Sequence, residues 1–195
     1  MVYIAADNDL NYFSGKNLDD MTKIGSTEHV NIVAHLDRQG AHEKTKRLYI
    51  EKGKIIQIQN PSPQKLDSGS AETLIDFCHW AVTRYPARHY ALVLWNHGSG
   101  ILDSVGGRTV INPSELFIFN PQTNMLEIDR SIEFLDFMQQ QKLFDPRAVC
   151  FSETYNSFLS NQKLDYALKT IQQKTLHGAK FDIIGYDACL MGMCN

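Results

Sequence analysis

Apolar positions along this chain fall either into short unbroken runs or into longer stretches at helical spacing, and polar turn residues separate them. Met1 to Ala6 reads as a short inner strand, closed by Asp7-Asn8-Asp9, whose short polar side chains also suit a helix cap. Leu10, Phe13, Leu18, Met21 and Ile24 then mark one face of a helix that ends at Gly25. Val30 to Leu36 is a second buried strand, stopped by Asp37-Arg38. Arg47–Ile50 and Lys54–Ile58 flank Glu51-Lys52-Gly53, a pattern that predicts a hairpin at the sheet's margin. Asn60-Pro61-Ser62-Pro63 is a loop, and Ser70 opens a helix with the apolar set Leu74, Ile75, Cys78, Ala81, Val82 and Tyr85, stopped by Pro86. Tyr90 to Asn96 is a strand. Residues 101–150 leave the regular pattern as an irregular insertion. Within it Phe117–Phe119 and Met125–Ile128 bracket a turn as a hairpin, and Ser131 caps a short helix through Met138. Lys163 to Gln173 forms a crossover helix through Leu164, Ala167, Leu168 and Ile171. It leads, past the His177-Gly178 turn, into Phe181–Asp187, which reads as a buried parallel strand. Alternation of this kind predicts an α/β fold with a mostly parallel central sheet flanked by helices, built as a single domain over residues 1–195.

Two of the strands end in reactive side chains. Tyr90–Asn96 runs into His97-Gly98, and Phe181–Asp187 runs into Ala188-Cys189. Reactive groups gather beyond the carboxyl ends of strands in open parallel sheets. A thiol and an imidazole delivered to such an edge are the minimum equipment of a cysteine nucleophile and its acid/base partner. Taken singly, each residue has a plainer reading: Cys189 as a small buried hydrophobe, His97 as a turn residue. The pairing of two like strands is what favours chemistry.

Composition narrows the alternatives. At 195 residues the chain can bury a core without staples, and its formal charge of −3 offers no basic surface for nucleic acid or an anionic membrane. No apolar run is long enough to span a bilayer. Cysteines 78, 150, 189 and 194 lack zinc spacing, and Cys78 and Cys150 fall on core positions. His97, Asp187 and Cys189 have no metal-ligand spacing either, so no metal is expected there. Gly98-Ser99-Gly100 is not a phosphate loop, because Asp103 replaces the third glycine and no Lys-Ser/Thr follows. The other histidines (29, 35, 42, 79, 89, 177) are scattered as surface or satisfied core residues. No signal peptide is present, so the sequence itself leaves the compartment open between cytoplasmic and a cleaved targeting segment. Asn195 follows Cys189 by only six residues, and the chain is expected to be part of a longer protein.

The words around the two reactive residues carry a resemblance. Leu94-Trp95-Asn96-His97-Gly98-Ser99-Gly100 and Ile184-Gly185-Tyr186-Asp187-Ala188-Cys189-Leu190-Met191 resemble the His and Cys blocks of the clostripain-like cysteine peptidases, of the caspase–legumain–gingipain group. Val2 to Leu10 is similar to that family's first strand and turn. Cys150-Phe151-Ser152-Glu153-Thr154, with Leu159 to Leu164, resembles the segment before its Cys strand. The caspase signature itself is absent, since Leu190 and Met191 stand where it has polar and glycine residues.

The resemblance implies a caspase-like fold, incomplete at the carboxyl end, and a His97/Cys189 dyad that needs no third residue. The amides of Gly98 and Cys189 would then serve as oxyanion donors. Asp187 matches the residue that lines the family's S1 pocket and selects Arg or Lys at P1; the alternative is a cap for a helix starting at Leu190. A second acidic wall residue of that pocket lies past the Cys block and outside this chain. Activation by cleavage between the two strands points to Arg147, in the turn-like Asp145-Pro146-Arg147. The resemblance allows calcium, although no calcium loop is visible, and it implies an extracellular or periplasmic setting. A rival of another class is a truncated, catalytically inactive peptidase-like domain acting as a binding or structural module. The 195-residue chain by itself is expected to have little or no peptidase activity, and an open sheet edge past the Cys strand to favour self-association.

Overall fold

The structure, a computed structural model, describes residues 1–40, 42–58, 64–97, 117–122, 125–128 and 148–188. In chain order these form β1 (Val2–Ala6), α1 (Asn11–Ile24), β2 (Val33–Arg38), β3 (Lys46–Glu51), β4 (Lys54–Ile58), α2 (Ala71–Arg84) and β5 (Ala91–Trp95). There follow β6 (Phe117–Asn120), β7 (Met125–Ile128), β8 (Ala148–Ser152), β9 (Ser157–Ser160), α3 (Asn161–Lys174) and β10 (Ile183–Asp187).

A six-stranded sheet runs in the order β10-β5-β1-β2-β3-β4. The first four strands are mutually parallel, and the β3–β4 hairpin closes the far margin antiparallel. The mostly parallel sheet and the marginal hairpin are as the sequence predicts. So are the β6–β7 hairpin inside the irregular insertion and the cores of the three helices.

Both faces of the central strands are covered, because successive side chains point to opposite faces. Tyr3 and Ala5 of β1, with Leu92 and Leu94 of β5, join Leu74, Phe77 and Cys78 of α2 and Leu164, Ala167 and Ile171 of α3 in one core. Ile4 and Ala6, with Trp95, face the other way against Leu10, Leu18, Ala34, Leu36, Leu48 and Ile50. Each fully buried leucine or phenylalanine of this kind contributes about 1.5–3 kcal/mol relative to an exposed one. Ser70 caps α2 as the sequence predicts, its Oγ accepting from the Glu72 amide at 3.2 Å; α3 starts two residues before the expected Lys163, with Ser160 Oγ accepting from the Lys163 amide at 3.2 Å.

Several expectations are corrected. The Cys-bearing strand β10 is parallel but not buried: it forms the sheet's edge among the described residues. Ile183, Ile184 and Tyr186 are 62%, 38% and 40% exposed. An apolar run signals a strand, yet whether a second neighbour covers it is decided by topology. Ile24, the last residue of α1, and Val30, which precedes the start of β2 at Val33, are likewise exposed. Leu10, and not the preceding polar triplet, occupies the N-cap of α1, without a side-chain cap bond. Its amide instead donates to Asn8 Oδ1 at 3.0 Å, so Asn8 shapes the turn before the helix. The small β8–β9 sheet has no counterpart in the sequence reading. Its bulge lies between Val149 and Ser152, and Cys150 there takes φ 60°, in the left-handed region that few side chains visit. The Asn60–Pro63 loop, the short helix from Ser131, and Gly98, Arg147 and Cys189 lie outside the described residues.

Candidate active site

The site is assembled at the carboxyl edge of the parallel strands. β10 and β5 are neighbours, in a register that pairs Asp187 with Trp95. The Asn96 amide then donates to the Asp187 carbonyl at 3.3 Å, extending the ladder one residue past the end of β5. At the other end Asp182 carries the same register. Its carboxylate accepts from the Tyr90 amide at 2.8 Å and pairs with His89 Nδ1 at 2.8 Å. His97 follows Trp95 by two residues; Cys189, two residues after Asp187 in the sequence, lies outside the described residues.

His97 is fully buried. Its Nε2 lies 2.6 Å from Oδ1 of Asp9, whose side chain is about one-third exposed at 37%. Burial pushes the Asp9 carboxyl up, but the hydrogen bond and charge of His97, with the amides of Asp9 and Leu10, outweigh it. The net position is below the ordinary carboxylate value. This contact is absent from the sequence reading, which takes Asp9 as turn or cap. The signal that finds it is the strand-end rule applied to β1, since Asp7, Asn8 and Asp9 follow a central parallel strand in the same way that His97 follows β5.

Two asparagines fix the backbone on either side of the pair. Asn8 Nδ2 donates to the Phe151 carbonyl at 2.9 Å and to Ala5 at 3.3 Å. Asn96 Nδ2 donates to the same two carbonyls, Phe151 at 3.2 Å and Ala5 at a shorter distance. The turn after β1, the turn after β5 and the middle of β8 are thereby tied to one another.

Beside this clamp lies a buried ionic knot. Lys65 Nζ sits 3.2 Å from Asp7 and 2.8 Å from Asp37, both fully buried, and donates also to the Arg38 carbonyl at 2.5 Å. Asp7 accepts from Ser152 Oγ at 2.6 Å, the Thr154 amide at 3.0 Å and Thr154 Oγ1 at 2.8 Å. Asp37 accepts from Ser68 Oγ at 2.8 Å, which in turn meets His35 Nε2 at 3.0 Å. Burial pushes the Asp37 carboxyl up in spite of Lys65 and Ser68. One lysine charge thus faces two buried carboxylates, and hydroxyl and amide donors take up their other oxygens. Among the described residues no group of three His, Cys, Asp or Glu side chains could hold a metal ion.

The remaining candidates divide cleanly. Asp187 stands exposed at the end of β10. Cys78 and Cys150 are buried free thiols in the core, and burial pushes Cys78 up to about 12 and Cys150 higher still, which makes both poor nucleophiles. His35 is a satisfied core residue, stacked on Tyr3 with ring centroids 4.3 Å apart. No helix among the described residues is long and apolar enough to cross a membrane.

Against known proteins, residues 2–111, more than half of the chain, match the clostripain family, peptidase family C11. The chain belongs to the clostripain family. Among solved structures, it is similar to a secreted C11 cysteine protease from Bacteroides thetaiotaomicron in complex with an irreversible peptide inhibitor, at 22% identity and a TM-score of 0.55. The match covers 97% of this chain and 42% of that one. An inactive zymogen C11 protease from Parabacteroides distasonis matches at 22% identity and a TM-score of 0.56, over 97% of this chain and 41% of its own. At these identities the likeness speaks for the fold: the clostripain-family sheet flanked by helices, of the caspase-like type. The chain spans less than half the length of either structure. No curated protein matches the sequence.

Proposed function

We propose that this clostripain-family chain carries the nucleophile and the acid/base of a cysteine endopeptidase that cleaves after Arg or Lys. The observation that supports it most is the β10–β5 register, which sets the strand that precedes His97 beside the strand whose last residue, Asp187, comes two positions before Cys189 in the sequence. In the reaction, Cys189 Sγ–H gives its proton to His97 and the sulfur bonds the peptide carbonyl carbon. The carbonyl oxygen takes up the displaced electron pair, facing the amides of Gly98 and Cys189. The C–N bond then breaks, and His97 returns the proton to the leaving amine. Water, deprotonated by the same imidazole, hydrolyses the thioester and restores the thiol. Asp187, exposed beside the nucleophile's strand end, supplies the negative charge that a guanidinium or ammonium at P1 would meet. Arg147 is the proposed site of activating cleavage. The secreted character of the B. thetaiotaomicron relative supports an extracellular or periplasmic setting here too.

The test is a panel of fluorogenic peptides differing only at P1. Arg and Lys substrates are expected to be cleaved and Asp substrates not. Asp187→Asn is expected to lower kcat/KM on the basic substrates by about tenfold to a hundredfold, the value of one charge-assisted contact of about 1.5–3 kcal/mol. Equal cleavage after basic and acidic residues would overturn the pocket assignment, and no cleavage at all would favour the inactive binding module.

The exposed β10 edge supports a second element of the proposal, pairing with another copy of the chain. Ile183, Ile184 and Tyr186 there form the kind of apolar edge that monomeric proteins usually cover. Light scattering is expected to give a dimer mass that reverts to monomer in Ile183→Lys. A wild-type monomer at high concentration would remove the idea.

A further inference from the structure

From the contact between Asp9 and His97 we infer that Asp9 is the positioning residue of the active site, a third member that orients the His97 imidazole and stabilises its protonated form. This rests on the proposed peptidase reading and adds to it a residue that the dyad does not contain.

The geometry is specific. Oδ1 of Asp9 stands 2.6 Å from Nε2 of His97, the short separation of a charge-assisted hydrogen bond. The imidazole is fully sequestered while the carboxylate lies at the rim, so the ring meets Asp9 on a side turned toward the turn after β1. With Nε2 engaged in this way, the exchange of protons with thiol and leaving amine runs through Nδ1. Asp9 fixes both the tautomer and the plane of the ring. When His97 takes the thiol proton, the imidazolium forms against a carboxylate already in place. No group has to reorganise at that moment.

Asp9 is itself pre-organised. Asn8 accepts from the Leu10 amide and donates to Phe151, and the Asn11 amide donates to the Asn8 carbonyl at 3.0 Å, so the residues on both sides of Asp9 are pinned. Asn96, next to His97, is anchored on the same Phe151 carbonyl. The two partners therefore hang from one shared backbone point, which sets their separation without long flexible side chains. A bland alternative exists: Asp9 precedes the first turn of α1, where a carboxylate also complements the helix dipole. That role would affect stability alone.

The two roles separate in Asp9→Asn, which retains an acceptor oxygen of the same shape and discards the charge. Steady-state kinetics of Asp9→Asn, Asp9→Glu, Cys189→Ala and the parent enzyme should be read with proton NMR of each. We expect Asp9→Asn to lower kcat about 10²-fold or more with KM nearly unchanged, as for an interaction made in the transition state. Asp9→Glu should recover part of the loss. A low-field imidazole N–H resonance should be present in the parent and in Cys189→Ala, and absent from Asp9→Asn and from His97→Ala. An Asp9→Asn enzyme with parental kcat, beside an inactive Cys189→Ala, would overturn the positioning role and leave the peptidase reading standing. The low-field resonance persisting in Asp9→Asn would overturn it as well. Activity that survives Cys189→Ala would instead overturn the peptidase reading.

Discussion

Cys189→Ala is expected to bring peptide hydrolysis to background, and His97→Ala to lower kcat/KM by about 10²–10⁴-fold, the usual contribution of a positioned acid/base. The asymmetry has a physical reason. Without the sulfur no acyl-enzyme can form. Without the imidazole, the fraction of thiol ionised in water at neutral pH, a few per cent at an ordinary pKa of about 8.5, can still attack. The leaving amine is then the group left unprotonated. The residual activity of His97→Ala should therefore be better on activated esters, whose leaving groups need no proton, than on amides. Measuring both substrate types on both variants checks this. Full amide activity in Cys189→Ala, or equal losses on ester and amide in His97→Ala, would contradict the roles assigned along the β5 and β10 strand ends.

Much of this arrangement is legible in the residues and some is not. The apolar runs of β1, β5 and β10, each closed by a polar or reactive tip, announce both the parallel sheet and the edge at which the proposed site lies. Periodicity finds α2 and α3 because their buried residues recur at helical spacing on one face, although the fully buried Phe77 stands outside the apolar set that marks α2. What stays hidden depends on distant pairing. The end of β1 puts Asp9 at the sheet's carboxyl edge, but nothing near it in the chain names His97 as its partner. Nothing near Lys65 says that two carboxylates from the ends of β1 and β2 will close around it. Edge and interior strands also look alike as sequence, which is why β10 reads as buried. β8 and β9 are too short, and too bent at Cys150, to set up a period.

Lys65→Met is expected to destabilise the fold by about 3–5 kcal/mol at neutral pH, a large share of the about 5–15 kcal/mol that holds a typical domain folded. The lysine side chain is 7% exposed and its two carboxylate partners not at all, so its removal strands negative charge in a medium that solvates it poorly. The sign of the pH dependence follows from Asp37. Its carboxyl already titrates above the ordinary value, and loss of Lys65 raises it further. An acid raised in the folded state contributes stability below its unfolded value, about 3.9, and loses that contribution as pH rises through the folded value. The deficit of Lys65→Met should thus be small near pH 4 and complete by neutrality. Adding Asp37→Asn should restore part of it at neutral pH, because the stranded charge is then gone. Denaturant melts across that pH range are the measurement. A deficit that does not vary with pH would mean that lost packing of the lysine stem, and not charge, explains the effect.

The clamp on Phe151 has a consequence for what a break in the covalent chain would do. β8 and the turn after it are attached to the amino-terminal half by side chains: by Asn8 and Asn96 on one carbonyl, and by the three bonds that Asp7 accepts from Ser152 and Thr154. β10 adds a full ladder to β5, and α3 packs on α2. A cut anywhere between Ile128 and Ala148 would therefore sever the connection without severing the attachment. The two fragments would behave as subunits of a heterodimer, co-migrating through a sizing column and parting only in denaturant.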